Sequence, residues 1–239
     1  MSNVIEINGI TKKFGKKTVL SNLNLQIKKG EICAIVGNNG VGKTTLLRMI
    51  CGHLKADEGE VAFSDNNSKV GVLIESPGLF GDMSAYDNLK LKALCLGYEH
   101  TKEQLLALLE LVELKDVGKK STAKFSMGMK QRLGIALALL GNPEILLLDE
   151  PTNGLDPQGI NEMRKLIEKI NKETGVTIVI SSHILEELVK VATRFCIIHN
   201  GTIIKDVSIS ELKEECKDLP IDEFYLKTLE EYDKNLVKD

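Results

Sequence analysis

Gly37-Asn38-Asn39-Gly40-Val41-Gly42-Lys43-Thr44-Thr45 decides the reading of this 239-residue chain. It follows an apolar run, Ile32 to Val36, with the length of a buried strand, and it precedes Leu46-Leu47-Arg48-Met49-Ile50, which predicts a helix ended by Gly52. Strand, glycine loop and helix are the setting that a phosphate-binding P-loop requires, and Gly37-x4-Gly42-Lys43-Thr44 has its spacing. The glycines let successive backbone N–H groups turn inward toward phosphate oxygens. The helix aims the positive end of its dipole at the same place. Lys43 is long enough to reach outer phosphates, and the Thr44 hydroxyl is a ligand for Mg²⁺.

Composition narrows the setting. With 43% hydrophobic and 27% charged residues the chain has enough core for one sizeable α/β domain. A net charge of −3 and no long basic run argue against nucleic-acid binding as the main activity. The five cysteines (Cys33, Cys51, Cys95, Cys196 and Cys216) are scattered without metal-ligand spacing and read as reduced thiols in a cytoplasmic setting. No signal peptide is visible, because Met1-Ser2-Asn3 leads straight into strand-like sequence. The longest apolar stretch, Leu133 to Leu148, is broken by Gly141-Asn142-Pro143 and cannot be one spanning helix. The chain is therefore expected to be soluble and to meet a membrane only through a partner.

Residues 4–10 and 19–27 alternate and predict antiparallel strands around a polar turn holding Phe14. Phe14 is either a surface packing residue or a platform for a nucleotide base. Glu58-Gly59-Glu60-Val61 and Val70 to Ile74 predict further strands, the second delivering Glu75 to its end. Ser84 and Thr101 open two helices by capping-box patterns, with Asp87 and Gln104 three residues on. The first helix carries Leu89, Leu91, Leu94 and Leu96, and the second Leu105, Leu108, Leu109 and Val112. Ser126 is placed to cap a third, so residues 78–141 read as a helical subdomain.

Ile145 to Leu148 is a continuous apolar run, as expected for a strand buried on both faces. It brings Asp149 and Glu150 to the carboxyl end of the strand, where open α/β sheets keep their chemistry. Asp156-Pro157 predicts a helix start and Gly175 its end. Val176 to Ile180 is another buried strand, leading through Ser181-Ser182 to His183, and Asn200-Gly201 marks a hairpin. The tail from Ser208 is charged and helical in character, with no visible chemistry.

A P-loop with an apolar strand ending in two carboxylates is the minimal set for nucleoside triphosphate hydrolysis. Asp149 would hold Mg²⁺ through its water shell, and Glu150 would orient and deprotonate the attacking water. His183 reads either as a core histidine satisfied by backbone or, beside this set, as a γ-phosphate contact.

At these residues the chain resembles the ATP-binding cassette (ABC) ATPases, specifically the nucleotide-binding subunits of ABC transporters. The resemblance covers residues 3–215. Gly37 to Thr44 matches Walker A and Ile145 to Glu150 Walker B. Phe125-Ser126-Met127-Gly128-Met129 sits at the signature sequence, Gly154-Leu155-Asp156 at the D-loop, His183 at the switch histidine and Phe14 at the base-stacking aromatic. The resemblance implies a P-loop NTPase fold of the ABC type, with a mixed-sheet core, an N-terminal antiparallel β subdomain and an inserted helical subdomain. The core would be residues 1–77 and 142–207, the helical subdomain 78–141 and a C-terminal helical tail 208–239. It implies an ATPase with ATP and Mg²⁺ as ligands. Gly37 to Thr45, Phe14, Ser126, Gly128 and Asp156 would bind nucleotide; Thr44, Asp149 and Glu75 would serve the metal; Glu150, His183 and Glu75 would serve catalysis.

The resemblance also implies two subunits, alike or different, that sandwich two ATP molecules, each site borrowing Ser126 and Gly128 from the opposite subunit. A separate transmembrane permease would hold the pair on the cytoplasmic face of the cell membrane. Four positions depart from the family pattern. Met127 and Met129 replace a glycine and a glutamine of the signature, Asn153 stands where serine is common, and Glu75 replaces the glutamine of the Q-loop. Glu75 is either drift or a mark of the subgroup that exports, or confers immunity to, peptide antibiotics such as bacitracin and lantibiotics. The competing function is a soluble ABC ATPase of DNA repair, chromosome maintenance or translation. Its usual coiled-coil insertions, zinc modules and second cassette are not seen in this sequence.

Overall fold

Apolar side chains at near-alternating positions build the first layer. In β1 (Asn3–Phe14) Ile5, Ile7 and Ile10 are buried, and in β2 (Lys17–Lys28) Leu23, Leu25 and Ile27. The strands pair antiparallel with Ile5 opposite Ile27 and Ile7 opposite Leu25, so one face of each turns to the core. The pairing runs further than the alternation, through Phe14 opposite Lys17. Phe14 is therefore the last residue of β1, and the turn is Gly15-Lys16.

The computed structural model describes residues 2–217 and 219–236; of the expected C-terminal tail, residues 218 and 237–239 lie outside the described residues, as does Met1. The chain forms two units, one made of the residues up to 66 with those from 179 onward, the other of residues 67–178. The first unit continues with β3 (Ile32–Val36), α1 (Lys43–Ile50) and β4 (Glu58–Phe63). β4 joins the antiparallel sheet in the order β2-β1-β4.

The second unit holds β5 (Val70–Leu73), α2 (Ala85–Cys95), α3 (Lys102–Leu111), α4 (Met127–Ala138), β6 (Ile145–Asp149) and α5 (Pro157–Thr174). β5 and β6 are parallel, with Leu73 opposite Leu148. α4 lies directly on β5. A Cβ at Gly71 would stand 2.1 Å from the Ala138 carbonyl oxygen, and one at Gly134 2.8 Å from Leu73 Cδ1, so only glycine permits this approach. Arg132 of α4 is buried and donates to the carboxylates of Glu113 and Glu162, the latter at 3.0 Å, which ties α4 to the end of α3 and to α5.

Of the two capping-box patterns read from sequence, Thr101 with Gln104 forms the reciprocal box, whereas Ser84 is an N-cap whose hydroxyl also donates to Asp87 Oδ2 at 2.6 Å. Ser84 Oγ accepts from Asp87 N at 3.1 Å, and Thr101 and Gln104 satisfy each other's backbone N–H groups. The leucines expected along α2 are not its buried face. Of Leu89, Leu91, Leu94 and Leu96 only Leu89 is buried, together with Ala85, Asn88 and Ala93. Positions 85, 89 and 93 share one side of the helix at i, i+4 spacing, and the other leucines fall off that line.

β7 (Thr177–Ser182) carries the chain back into the first unit, which ends with α6 (Leu185–Val191), β8 (Arg194–His199), β9 (Thr202–Ser208), α7 (Ile209–Cys216) and α8 (Ile221–Leu236). β7 runs beyond the apolar run because Ser181 and Ser182 are buried as well. β3 is buried throughout and pairs parallel with β8, Val36 opposite Ile197. β8 returns as β9 through Asn200 and Gly201 at φ 47° and 78°, the two left-handed residues of a type I′ turn.

Candidate functional site

In the first unit the glycine loop is wedged between two strands. A Cβ at Gly37 would stand 2.6 Å from the Ile198 carbonyl oxygen, and one at Gly42 2.6 Å from Leu20 Cδ2. Gly42 adopts φ 115°, a conformation that side-chain-bearing residues rarely take, and opens α1 with no side-chain cap. Lys43, only 5% exposed, bends back over the loop: its Nζ donates to the carbonyl oxygens of Gly37 (2.7 Å) and Asn38 (3.2 Å). Asn38, Asn39 and Gly40 are exposed at the loop tip, Val41 donates its N–H to Asn38 O at 3.4 Å, and Thr44 and Thr45 sit half-buried in the first turn of α1.

Phe14 is 51% exposed, with Lys12 Nζ 5.7 Å from the ring centroid. It lies on the hairpin whose second strand supplies Val19 and Leu20 to the pocket around Gly42. Asp57 fixes this hairpin by accepting from Lys12 Nζ at 2.8 Å and Lys13 N at 2.6 Å. The Lys12 hydrogen bond, followed by that of the Lys13 backbone, holds the Asp57 carboxyl below its ordinary range. His183, exposed, is the first residue beyond β7. The end of β7 neighbours β3, so the histidine and the glycine loop leave adjacent strands.

In the second unit the candidate carboxylates stand at the ends of β5 and β6. Asp149 closes β6 and is buried, and Glu150 follows it half-buried. Glu75 is exposed, just past β5. Both glutamates have left-handed backbones, φ 65° at Glu75 and φ 49° at Glu150. Long side chains rarely tolerate that region, and such strain gathers at functional sites. Two tight turns follow, closed by Asn153 N to Glu150 O (3.0 Å) and Leu155 N to Thr152 O (3.2 Å). Asp156 then caps α5 by accepting from Gly159 N at 2.8 Å, with Pro157 at the first helical position.

Ser126 caps α4: its Oγ accepts from Met129 N at 3.2 Å. The start of α4 touches the turn after β6, a Cβ at Gly128 falling 3.8 Å from Leu155 Cδ2 and one at Gly154 3.9 Å from Met127 Cε. The segments 126–128 and 153–156, far apart in sequence, thus form one surface of the second unit. Met127 is exposed, with its Cε beside Gly154 rather than in a core.

Sequence reasoning missed Tyr225. It lies in the tail that showed no chemistry, yet its hydroxyl donates to Asn38 Oδ1 at 3.3 Å. No spacing rule links residues 187 positions apart, and nothing in the local pattern marks this tyrosine. Among the described residues no helix is long and apolar enough to cross a membrane.

Residues 20–153 match the protein family described as ABC transporter. The bacitracin transport ATP-binding protein BcrA of Bacillus licheniformis is 42% identical over 223 residues, 90% of this chain and 72% of that protein. The lantibiotic transport ATP-binding protein SrtF of Streptococcus pyogenes is 42% identical over 220 residues, 89% of this chain and 95% of that protein. Among solved structures, a dimeric post-hydrolysis state of the ATP-binding cassette MJ0796, bound to ADP and Pi, superposes with a TM-score of 0.75 at 28% identity, covering 86% of this chain and 98% of that one.

Proposed function

The chain belongs to the ABC transporter family as one of its ATP-hydrolysing subunits, and from that premise we propose that it drives a peptide antibiotic, of the bacitracin or lantibiotic kind, through a separate membrane permease. The observation that carries the cargo assignment is the 42% identity, over about nine-tenths of the chain, to transport subunits for both kinds of peptide. Glu75, at the position where the family usually has an amide, is in keeping with that subgroup. The direction we propose is outward, as immunity or export.

In this reading the first unit contributes the phosphate cradle. The N–H groups of residues 39–45 and the dipole of α1 would receive the phosphates, Lys43 would neutralise the outer ones, and Phe14 would stack on the base. The second unit contributes the hydrolytic carboxylate. Glu150 would hold the attacking water and take its proton as the water oxygen bonds to the γ-phosphorus and the β–γ bridge breaks, leaving ADP and phosphate. His183 would steady the γ-phosphate. Mg²⁺ fits the donors available, since the Thr44 hydroxyl and the Asp149 carboxylate are hard oxygen ligands, and when bound it would neutralise charge on the phosphates. Glu75 would add a further oxygen or position water.

Ser126, Gly128 and Asp156 would act on the nucleotide of a partner subunit. The dimer of MJ0796 with ADP and Pi supports that arrangement. We propose that ATP binding closes a pair of such subunits, identical or not, and that hydrolysis releases it. The pair would sit on the cytoplasmic face of the membrane through the permease. Residues 1–77 and 142–207 would act as the nucleotide-binding core, 78–141 as the helical subdomain and 208–239 as a C-terminal tail.

Two experiments test the proposal. Purified protein should hydrolyse ATP, and the E150Q variant should lose turnover about 100-fold or more while running as an ATP-dependent dimer on size exclusion. A host expressing the subunit with its permease should survive higher concentrations of bacitracin or of a lantibiotic than a host without them. Equal sensitivity of the two hosts would remove the cargo assignment and leave the ATPase standing.

A further inference from the structure

The C-terminal helix α8 is pinned to the phosphate loop of its own unit. Phe224, Tyr225 and Leu229 are buried, Tyr225 being 7% exposed. The Tyr225 hydroxyl donates to Asn38 Oδ1 at 3.3 Å, at the tip of the glycine loop. The carbonyl oxygen of the same Asn38 accepts from Lys43 Nζ at 3.2 Å. A chain of two hydrogen bonds therefore runs from the tail, through one loop residue, to the lysine that faces the phosphates.

The far end of α8 is fastened too. Asp233 contacts His199 Nε2 at 3.0 Å and accepts from Asn200 Nδ2 at 3.4 Å. These residues open the β8–β9 turn, whose Gly201 carbonyl accepts from Ser21 N at 2.9 Å, beside the Leu20 that packs against Gly42. Residues 225 and 233 are about 12 Å apart along a helix axis. α8 thus spans the glycine loop at one end and, at the other, the hairpin that backs it. Burial raises the Tyr225 pKa, so the hydroxyl remains a donor throughout the neutral range.

We propose that Tyr225 is a positioning residue for nucleotide: by fixing the Asn38 side chain it orients the loop carbonyls that hold Lys43, and so sets ATP affinity from the C-terminal tail. The proposal rests on the reading of residues 37–45 as the ATP site. It assigns the tail a part in the reaction, although the tail lies past the P-loop strand, the carboxylates and the signature segment.

The test is Y225F in the full chain, which keeps the buried ring and removes only the O–H. Binding of a fluorescent ATP analogue and steady-state hydrolysis should show Kd and KM raised about 3- to 10-fold, the size of one lost hydrogen bond, with kcat within twofold of wild type. N38A, at an exposed position, should give the same shift, and the double variant should be no weaker than either single one, because both break the same link. A purely structural tyrosine would lower the melting temperature without splitting KM from kcat. Wild-type Kd in Y225F, or fully multiplicative effects in the double variant, overturns the proposal alone. Failure of the wild-type protein to bind the analogue overturns the ATP site and this proposal together.

Discussion

Glu75 and Glu150 occupy equivalent positions on neighbouring strands: Leu73 of β5 is the register partner of Leu148 of β6, and each glutamate lies two residues beyond its leucine in a left-handed backbone, at φ 65° and 49°. Two parallel strands thus end alike, each followed by a glutamate in a strained backbone. Their surroundings differ. Glu150 is half-buried behind the buried Asp149, whereas Glu75 is exposed on an open segment. A half-buried carboxylate can hold a water in fixed geometry, as a general base must, whereas an exposed one is the more tolerant of an amide.

Isosteric amides at the two positions should therefore behave differently. If Glu75 serves metal or water beside the phosphates, E75Q removes a charge there but keeps an oxygen, so turnover should stay within about tenfold of wild type. If Glu150 is the proton acceptor, E150Q should lose about 100-fold or more. The comparison is a steady-state ATPase assay on both proteins in the same Mg²⁺ buffer, and equal losses would contradict the division of labour.

Ser126 caps α4, and its proposed part toward a partner's nucleotide can be separated from that. As the N-cap of α4 it satisfies Met129 N, so S126A should lower stability by about 1 kcal/mol, a fall of roughly 2–4 °C in melting temperature. Asparagine caps a helix as well as serine does, so S126N should melt like wild type. If the hydroxyl also serves a partner's nucleotide, S126N should still lose ATP-dependent dimerisation on size exclusion. A stable S126N that dimerises normally would confine Ser126 to capping.

Local chemistry made most of the fold legible. Capping residues at Ser84, Thr101, Ser126 and Asp156, the αL stop at Gly175 and the Asn200-Gly201 turn each act within a few positions, and the structure has all of them where the sequence put them. The buried strands were legible because Ile32 to Val36 and Ile145 to Leu148 are continuously apolar. β7 was read short because Ser181 and Ser182 break the apolar pattern while remaining buried. The packed side of α2 was not legible for a related reason: leucines at 91, 94 and 96 carry the hydrophobicity, but alanines at 85 and 93 have the spacing that fits the packed side. The glycine loop was legible by spacing, but its fastening by Tyr225 was not, since that contact is made by folding alone.

Acid should loosen the Phe14 hairpin. Hydrogen bonds from Lys12 and the Lys13 backbone hold the Asp57 pKa below its ordinary value of 3.8. A carboxylate with a depressed folded pKa stabilises the protein fully above its unfolded pKa, and that contribution is lost as the pH falls through the folded value. Wild type should therefore melt above D57N at pH 7, and the gap should narrow as the pH drops below 3.8. Melting curves of the two proteins across that range measure it directly, and a gap that widened in acid would contradict the assignment.

Gly71 carries the most local demand in the second unit. It sits on β5 beneath the end of α4, where an added Cβ would be 2.1 Å from the Ala138 carbonyl oxygen and 3.0 Å from Pro143 Cγ. Neither neighbour is the end of a flexible side chain, so a methyl group cannot be admitted by a rotamer change. The helix would have to lift from the strand, and α4 is also held by the Arg132 pairs to Glu113 and Glu162. G71A should therefore cost about 1–3 kcal/mol, the range for overpacking a tight core. The same Cβ on the half-buried Gly128 should cost far less, since the nearest atom there is Leu155 Cδ2 at 3.8 Å, an ordinary contact distance. Because α4 begins at the Ser126 cap, a displaced helix should also weaken ATP-dependent dimerisation in G71A before the protein unfolds. Chemical denaturation of G71A and G128A beside wild type, with size exclusion in ATP at sub-denaturing concentrations, separates the two effects. A G71A protein as stable as wild type would mean that α4 is not seated on β5 as closely as these distances require.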